Sequence, residues 1–123
     1  MMRLVCSAYF FLLRFDWYLW RGNFERLYAK VRTFPIGHSS TGIDTNQIAR
    51  ALDLAAIWYP WRALCLQRSA ATVCLLRTHG IPGQLVLGAQ KLPFKAHAWV
   101  EVNGHVVGDL TYIPEIFAVL DRC

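Results

Sequence analysis

The sequence predicts an α+β domain, with a helical N-terminal half followed by a central helix packed on a small antiparallel sheet. Three observations carry that prediction. Apolar residues recur at helical spacing from Leu4 to Ile57, a further helical run over 62–79 is closed by Gly80 and Pro82, and beyond Pro82 the hydrophobic period falls to two. At 123 residues the chain is read as one domain, 1–123, long enough for a single core and too short for two.

The elements follow in order. Leu4, Tyr9, Phe10, Leu12, Leu13, Trp17, Leu19 and Trp20 are apolar almost all round, so the first helix is expected in the core or under a partner. Gly22 and Asn23 interrupt it, and a short amphipathic turn runs from Phe24 to Val31. Phe34, Pro35 and Gly37 break the pattern, and His38 to Gly42 reads as a loop. Asp44 with Gln47 resembles a capping box opening a helix through Ile48, Leu52, Ala55 and Ile57, which Pro60 stops. After the central helix, strands are expected at Gln84–Gly88, Ala96–Val102 and His105–Asp109, the last two joined at Asn103-Gly104.

Composition narrows the function classes. The chain is 55% hydrophobic, on the apolar side for a soluble domain of this size, which predicts that some apolar surface meets a partner or a membrane face. Net charge is +5, but the 13 Lys and Arg are scattered singly, which argues against nucleic acid and for an acidic or peptide partner. The run Leu4 to Leu13 is about half a membrane span, cut off by Arg14 and Asp16, and no small-x-small cleavage site follows. Cysteines 6, 65, 74 and 123 have no zinc-type spacing, and no metal or cofactor is expected. Cys65 and Cys74 fall on opposite sides of one helix, so no disulfide joins them and a reducing cytoplasm is the expected compartment.

Chemistry concentrates between Cys65 and Asp109. In the first turn of the central helix, unpaired backbone N–H groups and the positive end of the helix dipole favour a thiolate at Cys65. Position alone leaves two roles open, an armed nucleophile or a small buried hydrophobe. His97 and Asp109 can meet only in one strand register. A two-residue loop pairs Val102 with His105 and turns Asp109 to the other side of the sheet. A three-residue loop, Val102-Asn103-Gly104 with a bulge at Gly104, pairs Glu101 with His105 and Trp99 with Val107, and sets His97 opposite Asp109 at ~5 Å. The second register is the one expected here. Cys65 then attacks a carbonyl, His97 moves the proton, and Asp109 orients the ring. The Cys65 N–H is one oxyanion donor, with the indole of Trp58 or Trp61 as candidate for the other. Arg68, Trp61 and Trp99 are candidate substrate-binding residues, Arg68 having the alternative of pairing with Asp53 or Glu101.

The stretches C-L-Q-R-S-A-A-T-V-C-L-L-R-T-H-G-I-P-G-Q-L-V-L-G and P-F-K-A-H-A-W-V-E-V-N-G-H-V-V-G-D closely resemble the B-type leader peptidases of lasso-peptide biosynthesis, which are transglutaminase-like, papain-related cysteine proteases. The resemblance covers residues 61–109; the apolar N-terminal half is similar in character only. It implies a triad of Cys65 in C-L-x-R-S, His97 in A-H-A-W-V-E-V and Asp109 in V-V-x-D, with 61–123 the catalytic half and 1–60 a half that docks a partner or the leader. Gly108 stands where relatives often carry a polar residue such as Asn. The implied reaction cuts a ribosomally made precursor after its leader, freeing an α-amine for a separate ATP-dependent lasso cyclase. The implied partners are the precursor's leader peptide, a separate leader-recognition protein like the pyrroloquinoline-quinone chaperone, and that cyclase. Two alternatives are acyl transfer to an amine in place of water, and a non-catalytic leader-binding or membrane-surface scaffold resting on the aromatic N-terminal helix.

Overall fold

The computed structural model describes residues 2–22, 24–37, 45–58, 65–91, 94–107 and 117–123. Helix α1 (Met2–Trp20) packs against α3 (Thr45–Ile57) and α4 (Cys65–Thr78), and α2 (Phe24–Arg32) lies against α1 and α4. The four strands β1 (Gly83–Lys91), β2 (Phe94–Val102), β3 (His105–Val107) and β4 (Ala118–Arg122) form one antiparallel sheet in the order β3-β2-β1-β4. The expected α+β architecture is therefore the observed one, with one strand more than expected. Ala118–Arg122 is exposed throughout and lacks alternation, so nothing in its sequence marks it as the edge strand that pairs Gly88 with Val119 and Ala89 with Ala118.

The core lies between the helices and one face of the sheet. Leu4, Ala8, Leu12 and Phe15 of α1 meet Ile48, Leu52 and Ala55 of α3 and Ala70, Ala71 and Cys74 of α4, and Leu85, Ala98 and Val100 close the layer from the sheet. The small residues of α4 allow close approach to both neighbours. Gln67, wholly buried, donates from Nε2 to the Leu12 carbonyl at 2.5 Å and ties α4 to α1.

Helix α4 ends in a Schellman motif. The Ile81 N–H donates to the Leu76 carbonyl at 2.9 Å and the Gly80 N–H to the Arg77 carbonyl at 3.1 Å. Arg77, in the last turn, points inward and donates to the carbonyls of Gly83 at 3.0 Å, Phe34 at 3.2 Å, Cys123 at 2.8 Å and Val31. It thereby binds the end of α2, the start of β1 and the end of β4 to the central helix. Asp44 of the expected capping box lies outside the described residues.

Candidate active site

Cys65 stands in the first turn of α4, as the sequence predicts, where the helix dipole favours an anion. The next turn carries Ser69, whose Oγ donates to the Ala98 carbonyl of β2 at 3.1 Å. The start of α4 is thus held against the strand one residue from His97. A cleft of about 210 Å³ opens there, bordered by Arg68, Ser69 and Thr72 of α4, Asp53 of α3, and His97 and Ala98 of β2.

His97 belongs to the alternate set of β2 residues that includes Trp99 and Glu101. Ala98 and Val100 join the core with α4, whereas Trp99 packs with Val86, Val106 and Phe117 in a separate cluster. The imidazole stacks on Trp99 with ring centroids 6.0 Å apart and meets the Phe117 ring at a 30° tilt, centroids 5.3 Å apart. Trp99 is 1% exposed, and its Nε1–H donates to Glu101 Oε2 at 2.9 Å. The buried Glu101 carboxylate also faces Arg122 Nε at 3.5 Å. Gly88 pairs with His97 across the ladder, and a Cβ on it would lie 2.6 Å from the Trp99 ring, so only glycine admits the indole there. Trp99 is consequently a buried support for the His97 ring, and it also borders the cleft. The Trp99–Glu101 bond and the Phe117 and Arg122 contacts were not expected from sequence, although H-x-W-x-E on one strand already puts His97, Trp99 and Glu101 on one face.

The expected register is corrected. Val102 pairs with His105, Glu101 with Val106 and Val100 with Val107. Asn103 at φ 52° and Gly104 at φ 82° are the two left-handed positions of a type I′ turn, whose twist matches the strands, so no third loop residue is needed. The three-residue loop expected to set His97 opposite Asp109 is therefore not the one that forms. Asp109 itself lies outside the described residues.

Among the other candidates, Arg68 pairs with Asp53 at 2.7 Å, one of the partners expected for it, and Glu101 takes Arg122 instead. Trp58 is 77% exposed, and Trp61 lies outside the described residues. Cys74 is fully buried, and that burial pushes its thiol up to about 12, which leaves it inert as a nucleophile. No group of three metal-ligating side chains forms among the described residues, and no helix among them is long and apolar enough to cross a membrane.

A helix that begins with cysteine and packs against an antiparallel sheet whose second strand carries histidine defines a class. Residues 10–120 match the family described as the Transglutaminase-like superfamily, and the chain belongs to it. A stretch of 56 residues, 46% of the chain, is 36% identical to the microcin J25-processing protein McjB of Escherichia coli. That match covers 27% of the relative's length. No solved structure gives a significant match.

Proposed function

We propose that this chain is a cysteine peptidase that removes the leader from a ribosomally synthesised lasso-peptide precursor, with Cys65 as nucleophile, His97 as general base and acid, and Asp109 as the group that orients His97. The observation that carries the reading is the Ser69–Ala98 hydrogen bond at 3.1 Å, which ties α4, one turn after Cys65, to the strand that carries His97, beside a cleft bordered by Arg68, Ser69 and His97. Support also comes from the superfamily and from the likeness to a protein named for processing microcin J25.

In the first step the Cys65 thiolate adds to the scissile carbonyl, and the Cys65 N–H donates to the oxyanion. Protonated His97 gives its proton to the departing amine, leaving a thioester on Cys65. Neutral His97 then takes a proton from water, whose oxygen attacks the thioester, and the leader acid departs as the thiol is restored. In this reading Asp109 accepts a hydrogen bond from the His97 ring and holds its orientation. The partners we propose are the precursor's leader peptide, a separate leader-recognition protein and the lasso cyclase.

Incubating the protein with precursor peptides, with and without a leader-recognition protein, and reading product masses tests the proposal. Wild type is expected to yield free leader acid and core amine, and Cys65→Ala neither. Cleavage surviving Cys65→Ala removes Cys65 from the mechanism. Leader joined to an added amine, with no free acid, moves the reading to acyl transfer.

A further inference from the structure

Helix α1 is apolar on two opposite faces, and only one of them is used by the fold. Leu4, Ala8, Leu12 and Phe15 are buried in the core. On the far side Phe10 is 58% exposed, Leu13 40%, Trp17 49% and Trp20 81%. Steps of three, four and three residues put these four side chains in one stripe along the helix. The stripe is displayed on a helix whose other face anchors it, so its geometry is fixed before any partner arrives.

The charges beside the stripe are distributed unevenly. Arg3, Arg14 and Arg21 are separated by eleven and seven residues, which at ~100° per residue returns each to within ~20° of the last, in a row along one edge. Arg21 extends the helical path through its N–H to the Trp17 carbonyl at 3.2 Å, and its guanidinium lies 4.9 Å from the Trp17 ring. Stacking there leaves the planar fork free to bind a carboxylate. Among the described residues none of the three arginines meets an acid. The opposite edge carries Asp16 as its single charge.

We propose that this stripe docks an acidic amphipathic helix of a partner protein, its apolar residues laid on Phe10, Leu13, Trp17 and Trp20 and its carboxylates running along the edge of Arg3, Arg14 and Arg21. A helix lying in an anionic lipid surface meets headgroups along both edges of its apolar face and carries cations on both. Here one edge offers three arginines and the other an aspartate, which suits a linear partner charged on one side. A second copy of α1 brings one carboxylate, Asp16, for three guanidinium groups. The inference does not depend on the catalytic reading, since no proposed catalytic residue lies on α1.

The test uses the full chain and two labelled helical peptides with the same leucine stripe, one bearing a glutamate row along an edge and the other a lysine row. The glutamate peptide is expected to bind saturably, at least about tenfold more tightly than the lysine peptide by fluorescence anisotropy. In Arg3→Glu/Arg21→Glu, both exposed positions, the preference reverses; this reversal separates a charge contact from damage to the fold. Equal binding of both peptides, or none, overturns the proposal. So does binding of phosphatidylglycerol vesicles with no binding of the glutamate peptide, which assigns the stripe to lipid. A stable homodimer by sedimentation whose formation Trp17→Ser/Trp20→Ser abolishes also overturns it.

Discussion

Ser69 Oγ donates to the Ala98 carbonyl at 3.1 Å, one helical turn after Cys65 and one residue after His97. This contact couples the helix that carries the thiol to the strand that carries the imidazole. Ser69→Ala removes the donor from a buried site and is expected to cost about 1 kcal/mol of stability. It should also slow precursor cleavage beyond what the lost stability explains. Denaturant melts and single-turnover rates on the same samples check both parts; a stability loss with an unchanged rate uncouples the contact from the site.

Arg77 satisfies carbonyls from three segments at once, at Gly83, Phe34 and Cys123 as well as Val31. Arg77→Met removes all four bonds, although the Cys123 carbonyl keeps the Leu85 N–H and the Val31 carbonyl the Phe34 N–H, and a loss of about 3 kcal/mol is expected. Arg77→Lys should recover little, because one ammonium cannot reproduce the fork of a guanidinium. Urea unfolding of the two variants gives the comparison, and near-wild-type stability of the lysine variant contradicts the account of the fork.

Gly88→Ala puts a methyl group 2.6 Å from the Trp99 ring and should cost about 1–3 kcal/mol through displacement of the indole. The readout is the Trp99 indole N–H resonance, expected to be protected from solvent exchange in wild type by its bond to Glu101. Gly88→Ala and Glu101→Ala should both erase that protection. A protected indole in Glu101→Ala would mean that Glu101 is not its partner in solution.

Tyr28 and Asp121 share a short hydrogen bond of 2.6 Å, phenol to carboxylate, with Arg32 at 3.1 Å from the same oxygen. Burial and the Asp121 bond push the Tyr28 phenol from 10.0 to about 12. The Tyr28 bond and the Arg122 backbone N–H hold the Asp121 carboxyl below its ordinary 3.8. The folded phenol keeps its proton longer than the unfolded one, so its contribution is whole below pH 10.0 and is lost as pH rises through about 12. The folded carboxyl gives up its proton sooner, so its contribution is present above pH 3.8 and fades as pH falls further. The Tm difference between wild type and Tyr28→Phe should therefore shrink at both ends of the pH range. A difference that stays constant across that range contradicts the coupling.

Much of this fold was legible because its signals are local. Gly80 followed by Pro82 marks the end of α4, and Asn103-Gly104 marks a hairpin, since only a few residues tolerate those backbone angles. The register failed for a related reason. Asn and Gly at both left-handed positions already satisfy the two-residue turn, so the bulge invoked to bring His97 to Asp109 had no local residue demanding it. Contacts formed by distant segments left no mark. Nothing near Arg77 in sequence shows that Val31, Phe34 and Cys123 converge on it, and nothing near His97 shows that Phe117 closes over its ring. The helix start at Cys65 and the strand at His97 were legible because capping and period-two signals are local. The catalytic roles of Cys65, His97 and Asp109 are proposals.

The pH dependence of Cys65 alkylation tests the central claim most directly. Iodoacetamide labelling, followed by peptide mass, is read for wild type and His97→Ala across pH 4 to 10. In wild type, Cys65 is expected to react with an apparent pKa well below the ordinary thiol value of ~8.5 and to move toward that value in His97→Ala, while Cys74, its thiol pushed up to about 12, stays unlabelled. A Cys65 that titrates as an ordinary thiol in both proteins contradicts the claim that helix α4 and His97 together make it the nucleophile.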